Sequence, residues 1–311
     1  MHKRDTFQLP RKTSDVYPTH STLPLPKIIR SHVLQNFSFC ENYQKGIIKD
    51  DDPEFLHQYR VTMRHIRAIL SLHQSLFIPE QLKETNFAIK KLMQPTNLQR
   101  DLDVYLMQME HYFNLVDHKH HQGLARFFDD LQRQRQKAYK KNKHWLKSEE
   151  YKAQYKHIRI QLKQLSPRVE DLSIPSQEMI NILLLDLNSH FITSMSAINS
   201  QTSDAQLHRL RIKCKKLRYG LDYYCPLTEQ LSISLKTKTL KFLQAKLGDF
   251  NDSSVQIDFL NHYLEQYKKT GRRAKAIGLL LQKIQQIHLE NKQQLIIEIV
   301  QCSQNTAHKA L

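Results

Sequence analysis

His57, Arg60, Arg64 and Arg67 follow one another at spacings of three, four and three residues, and 151 positions later the arrangement returns as His208, Arg211, Lys215 and Arg218. An imidazole beside three cations is equipment for holding an anion. Guanidinium forks and ammonium groups engage phosphate or carboxylate oxygens, and a histidine adds a charge that responds to mild acid. Asp101 and Asp252 keep the same offset, each lying 44 residues after its histidine. So do the apolar positions between: Leu56, Tyr59, Met63, Ile66 and Leu70 are answered by Leu207, Leu210, Cys214, Leu217 and Leu221. The chain reads as a tandem duplication.

The element that must position these residues is a helix. With each residue advancing about 100°, His57, Arg60, Arg64 and Arg67 share an arc of about 80°, and the five apolar residues fill the adjoining arc. One flank builds a core and the other presents charge. Two such helices related by a pseudo-two-fold axis are expected to point their stripes at a common space, where like charges repel unless an anion lies between them. The spacing therefore implies a polyanionic ligand.

Composition agrees. The 311 residues include 47 Lys and Arg against 30 Asp and Glu, a net charge of +17, which favours nucleic acid, acidic lipid or polyphosphate as partner without choosing among them. Only 6 glycines occur in a chain rich in Leu, Lys, Gln, Glu and Ala, so an all-α protein is expected. Cys40, Cys214, Cys225 and Cys302 form no CxxC or Cys/His spacing and read as reduced, buried thiols. The richest apolar stretch, around Ile180 to Ile198, is interrupted by Asp186, Asn188 and His190, too polar for a membrane span. With no signal-like run at the N-terminus, the expected location is cytoplasmic.

Residues 1–26 carry Pro10, Pro18, Pro24 and Pro26 and read as a flexible N-terminal tail, with helical patterning from Lys27 onward. Asp52-Pro53, Pro79, Pro95-Thr96, His120-His121, Ser148 and Ser166-Pro167 punctuate the first half into five or six helices. The interval between Pro167 and Pro175 separates repeat one, about 27–166, from repeat two, about 175–302. In the second half helices are expected at about 176–199, 203–224, 228–247, 252–269 and 272–302. Each repeat would make one four-helix bundle. Leu124, Phe128, Leu131, Ala138 and Trp145 share an apolar stripe on which Arg135 also falls, making Arg135 a candidate inward-facing cation.

Asp101 and Asp252 stand near expected helix starts, where a carboxylate caps the helix or orients a stripe cation; a structural role is preferred to catalysis. Arg100, beside Asp101, is replaced by Asn251 in the other repeat. Glu54-x-x-His57 matches half of a di-iron signature, but Ala205 stands where the second glutamate belongs, and neighbouring cations oppose a metal ion. A metal-dependent phosphohydrolase would need clustered carboxylates to hold Mg²⁺. No Glu-x-Glu-x-Lys signature, P-loop, Gly-rich dinucleotide turn or Ser/Cys nucleophile motif is found. The residues point to binding without turnover and without a cofactor or metal. A nucleic-acid-binding basic helical protein is the alternative, supported by charge but by no recognition motif; it would be unspecific. Tyr59 and its neighbours belong to the apolar face, whereas single-strand binders interleave exposed aromatics with cations.

At these residues the chain resembles the CHAD family, the conserved histidine α-helical domain. Phe55-Leu-His-Gln-Tyr-Arg-Val-Thr-Met-Arg-His-Ile-Arg67 is similar to its first signature and Leu207-His-Arg-Leu-Arg-Ile-Lys-Cys-Lys-Lys-Leu-Arg-Tyr219 to its second. Arg100-Asp-Leu-Asp-Val104 and Leu247-Gly-Asp-Phe-Asn-Asp252 resemble the two intervening motifs, so the likeness runs over roughly 27 to 300 within an expected domain of 27–311. The resemblance implies two four-helix bundles with pseudo-two-fold symmetry around a basic central groove or pore that binds long-chain inorganic polyphosphate; granule targeting, storage control and regulation of a polyphosphate enzyme would all use that groove. It carries His57, Arg60, Arg64, Arg67, His208, Arg211, Lys215 and Arg218 over as phosphate contacts. Beside the resemblance, Arg100 and Arg135 are further binding candidates read from the residues themselves. The proline-rich tail has no counterpart in the motifs, and no triphosphate tunnel module accompanies this copy. Histidine protonation is expected to tighten binding at pH 6 relative to pH 8.

Overall fold

The computed structural model describes residues 8–10, 23–168, 176–225, 237–266 and 271–307, and among them every regular element is helical. The one extended contact is an isolated antiparallel bridge between Phe77 and Pro167. The chain divides into two compact units, one of residues 1–108 with 129–176 and one of 109–128 with 177–311. Segment 109–128, which precedes the Pro167 to Pro175 interval in sequence, thus belongs to the second unit.

In the first unit, α1 (Leu25–Phe39) and α2 (Glu41–Lys49) lead into α3 (Pro53–Leu72), followed by α4 (Pro79–Met93) and α5 (Asn97–Met107). The helix α3 starts where the sequence demands: the Asp52 side chain accepts a 2.7 Å bond from the Glu54 amide, and Pro53 occupies the first turn, where its missing N–H is not needed. Its apolar arc is buried, including Phe55, Leu56, Tyr59, Met63, Ile66 and Leu70, and packs against α1, α2 and α4. The α2 contact is tight: a Cβ on Gly46 would lie 2.3 Å from the Phe55 ring. Asp50 ends α2 in the left-handed conformation at φ 59°. From Asp129 onward α7 (His121–Lys147) belongs to this unit, and α8 (Glu149–Gln164), capped by Ser148, closes it against α1 and α4.

The second unit holds α6 (Met109–Asn114), the opening turns of α7, most of α9 (Ser176–Ser196), α10 (Asp204–Tyr223), α11 (Thr237–Gln266) and α12 (Arg272–Ala307). A reciprocal capping box of Ser203 and Gln206 starts α10. The expected break near 248–252 does not occur: α11 runs unbroken through Gly248. An interior glycine costs a helix about 1 kcal/mol. Burial of Leu240, Leu243, Leu247, Phe250 and Leu260 along one face outweighs it. Parts of the expected 228–247 and 252–269 helices, and residues 1–7 and 11–22 of the expected tail, lie outside the described residues, while Leu25 and Pro26 of that tail already belong to α1.

No disulfide is formed among the described residues, and Cys40 and Cys214 are buried. Cys225 is exposed and Cys302 half-buried, so the expectation of four buried thiols is corrected: both stand near helix ends, where packing thins. No helix among the described residues is long and apolar enough to cross a membrane.

Candidate functional site

In the first unit, α3 and α5 assemble the charged cluster. A 3₁₀ turn at Gln94–Thr96 introduces α5, and Arg60 is anchored there: its Nη1 donates to Thr96 Oγ1 and Asn97 Oδ1, each at 2.7 Å. Only 8% of Arg60 is exposed. His57 is half-buried, and its pKa is lowered first by that burial and then by Arg100, Arg64 and Arg60, with Glu54 opposing. In the free protein the cations gathered around this imidazole resist a further proton. Desolvation raises the pKa of Asp101, with Arg60, Arg100 and Arg64 opposing the rise.

This cluster leaves polar atoms unsatisfied. Arg60 Nε, Arg67 Nε, Arg100 Nη1 and His57 Nδ1 are buried atoms with no hydrogen-bond partner among the described residues. Buried polar groups are ordinarily bonded, and a cationic N–H left over is costly unless an acceptor reaches it. Arg64 projects into solvent beside them.

In the second unit the corresponding residues are arranged differently. His208 is exposed, and its Nδ1 lies 2.9 Å from Asn251 Oδ1, so the position equivalent to Arg100 still meets the histidine but without charge. Arg218 donates to Gln244 and to Asp222 (2.7 Å), and with Lys215 it flanks the Tyr219 ring. Arg211 is half-buried and forms no hydrogen bond or ion pair among the described residues. Behind it Cys214 is buried, and desolvation pushes its thiol up to about 12, which keeps it a protonated core residue.

Neither aspartate caps a helix. Asp101 lies in the second turn of α5 and Asp252 in the middle of α11, where Asn251 Nδ2 contacts Asp252 Oδ1 at 3.4 Å. The capping expectation fails because Thr96 holds the N-cap position of α5 and α11 has no start at Asp252. Arg135 does face inward, with 7% exposure. Burial opposes its charge, but bonds to Asp50 and Asp103 outweigh that and raise its pKa. Its Nε donates to Asp103 Oδ1 at 2.8 Å, and its terminal nitrogens bond both Asp50 oxygens. The buried Asp103, beside Arg100 on α5, is thus tied to α7, as is Gln99 through Asn142 at 2.8 Å.

Sequence reading missed Thr96, Asn97, Asp50, Gln244 and Asp222. Asp222 had a local signal, four residues beyond Arg218 on the same helix. A second constellation also went unread: Ser253 Oγ lies 2.7 Å from His288 Nδ1, and His288 Nε2 lies 3.4 Å from Asp204 Oδ2. It has the residue types of a nucleophilic triad, yet the Ser253 hydroxyl is buried and donates to the Phe250 carbonyl at 2.8 Å, so it fastens α11, α12 and α10 together. Among the described residues no three His, Cys, Asp or Glu side chains are placed to hold a metal ion.

No curated protein sequence matches the chain. Among solved structures it is similar to PptA from Streptomyces chartreusis, at 13% identity and a TM-score of 0.65 over 90% of this chain and 99% of that one. It is also similar to the CHAD domain from the plant Ricinus communis, at 19% identity and a TM-score of 0.71 over 96% of each chain. A family model for the CHAD domain matches residues 33–261, a span from α1 into α11 that contains both histidine stripes, and the chain belongs to that family.

Proposed function

We propose that the protein binds long-chain inorganic polyphosphate, without turning it over, through the stripes on α3 and α10. The observation that carries this reading is the set of buried N–H groups on Arg60, Arg67 and Arg100 without a partner among the described residues, beside exposed Arg64, a concentration of positive charge that suits an anion. Family membership, and the polyphosphate binding that the sequence resemblance implies, support the choice of anion. His57, Arg60, Arg64, Arg67 and Arg100 serve one stripe; His208, Arg211, Lys215 and Arg218 serve the other. Asp101 and Asp252 orient their neighbours, and Arg135, neutralised twice, serves the fold. Many weak phosphate contacts along one polymer act at high effective concentration, so affinity rises with chain length. A protein bound to such a polymer would be carried into polyphosphate granules.

The test is calorimetric titration of the protein with long-chain polyphosphate, single-stranded DNA and tRNA in about 150 mM salt, where loose electrostatic binding is suppressed. Arg64→Ala/Arg211→Ala is the informative variant, because neither side chain is hydrogen-bonded among the described residues, and a thermal melt checks that the fold is kept. Polyphosphate binding that the variant loses supports the proposal. Equal or tighter binding of nucleic acid, indifferent to these arginines, would replace it with a general basic surface.

A further inference from the structure

A second row of cations lies on the first unit, away from the stripe. Along α7, Arg133, Lys137, Lys140, His144 and Lys147 are all exposed. At about 100° per residue they share an arc of about 80°, and from Arg133 to Lys147 the row is about 21 Å long. Leu131, Arg135, Ala138, Asn142 and Leu146, all buried, lie on the opposite side of the helix. Through Arg135 and Asn142 that inner side grips Asp103 and Gln99 of α5, so the helix body, about 10 Å across, separates the outer row from those contacts.

The row is not offset by acids in the usual way. Between Asp130 and Glu149 the sequence holds seven Lys and Arg and no Asp or Glu. Like charges three and four residues apart, as at Arg133/Lys137 and Lys137/Lys140, weaken a helix. Elsewhere acids interleave: Glu80 and Glu84 flank Lys83 on α4, and Glu149 pairs with Lys152 at 2.6 Å on α8. Among the described residues, the one carboxylate partner on the α7 row is Asp130, 3.3 Å from Arg133.

We infer that this outer face of α7 is a second docking track for a polyphosphate chain, engaging the length of polymer that overruns the α3 stripe. The inference rests on the reading that the stripes bind polyphosphate. The face has no apolar residue to enter a lipid surface, since the apolar side of α7 is spent in the core. It offers no stacking platform for bases either, since Tyr139 and Trp145 fall outside the arc and Tyr139 is fastened through its hydroxyl to the Ile48 carbonyl at 2.9 Å. What remains is a straight line of mostly lysine point charges, suited to a thread of continuous negative charge recognised by charge alone.

The full chain is titrated with tripolyphosphate, long-chain polyphosphate and tRNA, comparing wild type with Lys137→Gln/Lys140→Gln/Lys147→Gln. Glutamine preserves helix propensity, and a thermal melt checks the fold. The expected result is long-chain affinity about tenfold weaker or more, a salt slope reduced by about two to three, and unchanged tripolyphosphate binding. Unchanged long-chain affinity, an equal loss with tripolyphosphate, or a loss confined to tRNA would each overturn the second track. Arg64→Ala/Arg211→Ala is run beside it: tripolyphosphate binding insensitive to that pair refutes the stripe reading itself, whichever way the α7 variant behaves.

Discussion

The stripes on α3 and α10 carry matching residue types at matching spacing, but they differ in what surrounds the charge. On α3 the cations are crowded and partly desolvated: Arg60 is buried, and burial followed by Arg100 depresses the pKa of His57. On α10 the charge is softened, with Asn251 in place of Arg100, and with Asp222 bonded to Arg218 where the first stripe has Ser71. Two pieces of chain with one pattern therefore sit in different electrostatic surroundings, and on the proposed reading the first would be the stronger anion site.

The largest test of this contrast concerns the buttress behind the first stripe. Asp50, Arg135 and Asp103 form a buried ionic triad, and 151 positions on stand Gln201, Gln286 and Ser254. Asp103→Ala leaves the Arg135 charge without one of its partners and should cost roughly 3–5 kcal/mol in urea unfolding, whereas Ser254→Ala should cost well under 1. Equal losses would mean that the triad is not what separates the two regions.

Next in size is acid sensitivity. His73, at the end of α3, is fully buried, and burial lowers its pKa to about 4; the equivalent position is Tyr224, which carries no such proton site. Below pH 6.5 the unfolded chain takes up a proton that the folded chain refuses, so stability falls between pH 6.5 and about 4 by about 3 kcal/mol. Replacing the imidazole with His73→Gln should flatten that part of the stability–pH curve, and an unchanged slope would move its origin elsewhere.

The smallest effect is the most specific. Exchanging the residues that differ, Arg100→Asn lowers polyphosphate affinity several-fold and Asn251→Arg raises it, each change being about 1 kcal/mol of screened charge. Arg100→Asn should also let His57 titrate nearer its ordinary pH, visible as a shift in its imidazole NMR resonance.

How far the sequence reveals the molecule depends on how local the cause is. Asp52-Pro53, Pro79, Ser148 and Ser203 mark helix starts through their own side chains or rings, and each start lies where expected. The break between α1 and α2 at Cys40 has no such sign, since neither Gly nor Pro is present and only packing turns the chain. Gly248 gives a sign that the core overrules. In the site, the stripe follows from helical period alone, whereas the partners of Arg135 lie 85 and 32 residues away and answer to no spacing. The electrostatic inequality of the stripes likewise needs neighbours from other helices.

The membership of α7 in both units has a practical consequence for anyone who would take the protein apart. Its first eight residues pack with the second unit, where Phe127 meets the Tyr263 ring and Gly123 lies so close to the Arg272 carbonyl that a Cβ would sit 2.3 Å away. Scission at 167–175 would divide the chain by its sequence pattern yet strip the second unit of residues 109–128, exposing Tyr263 and the start of α12. The fragments should be poor folders alone and regain structure on mixing, behaving as a split protein rather than as two liberated domains.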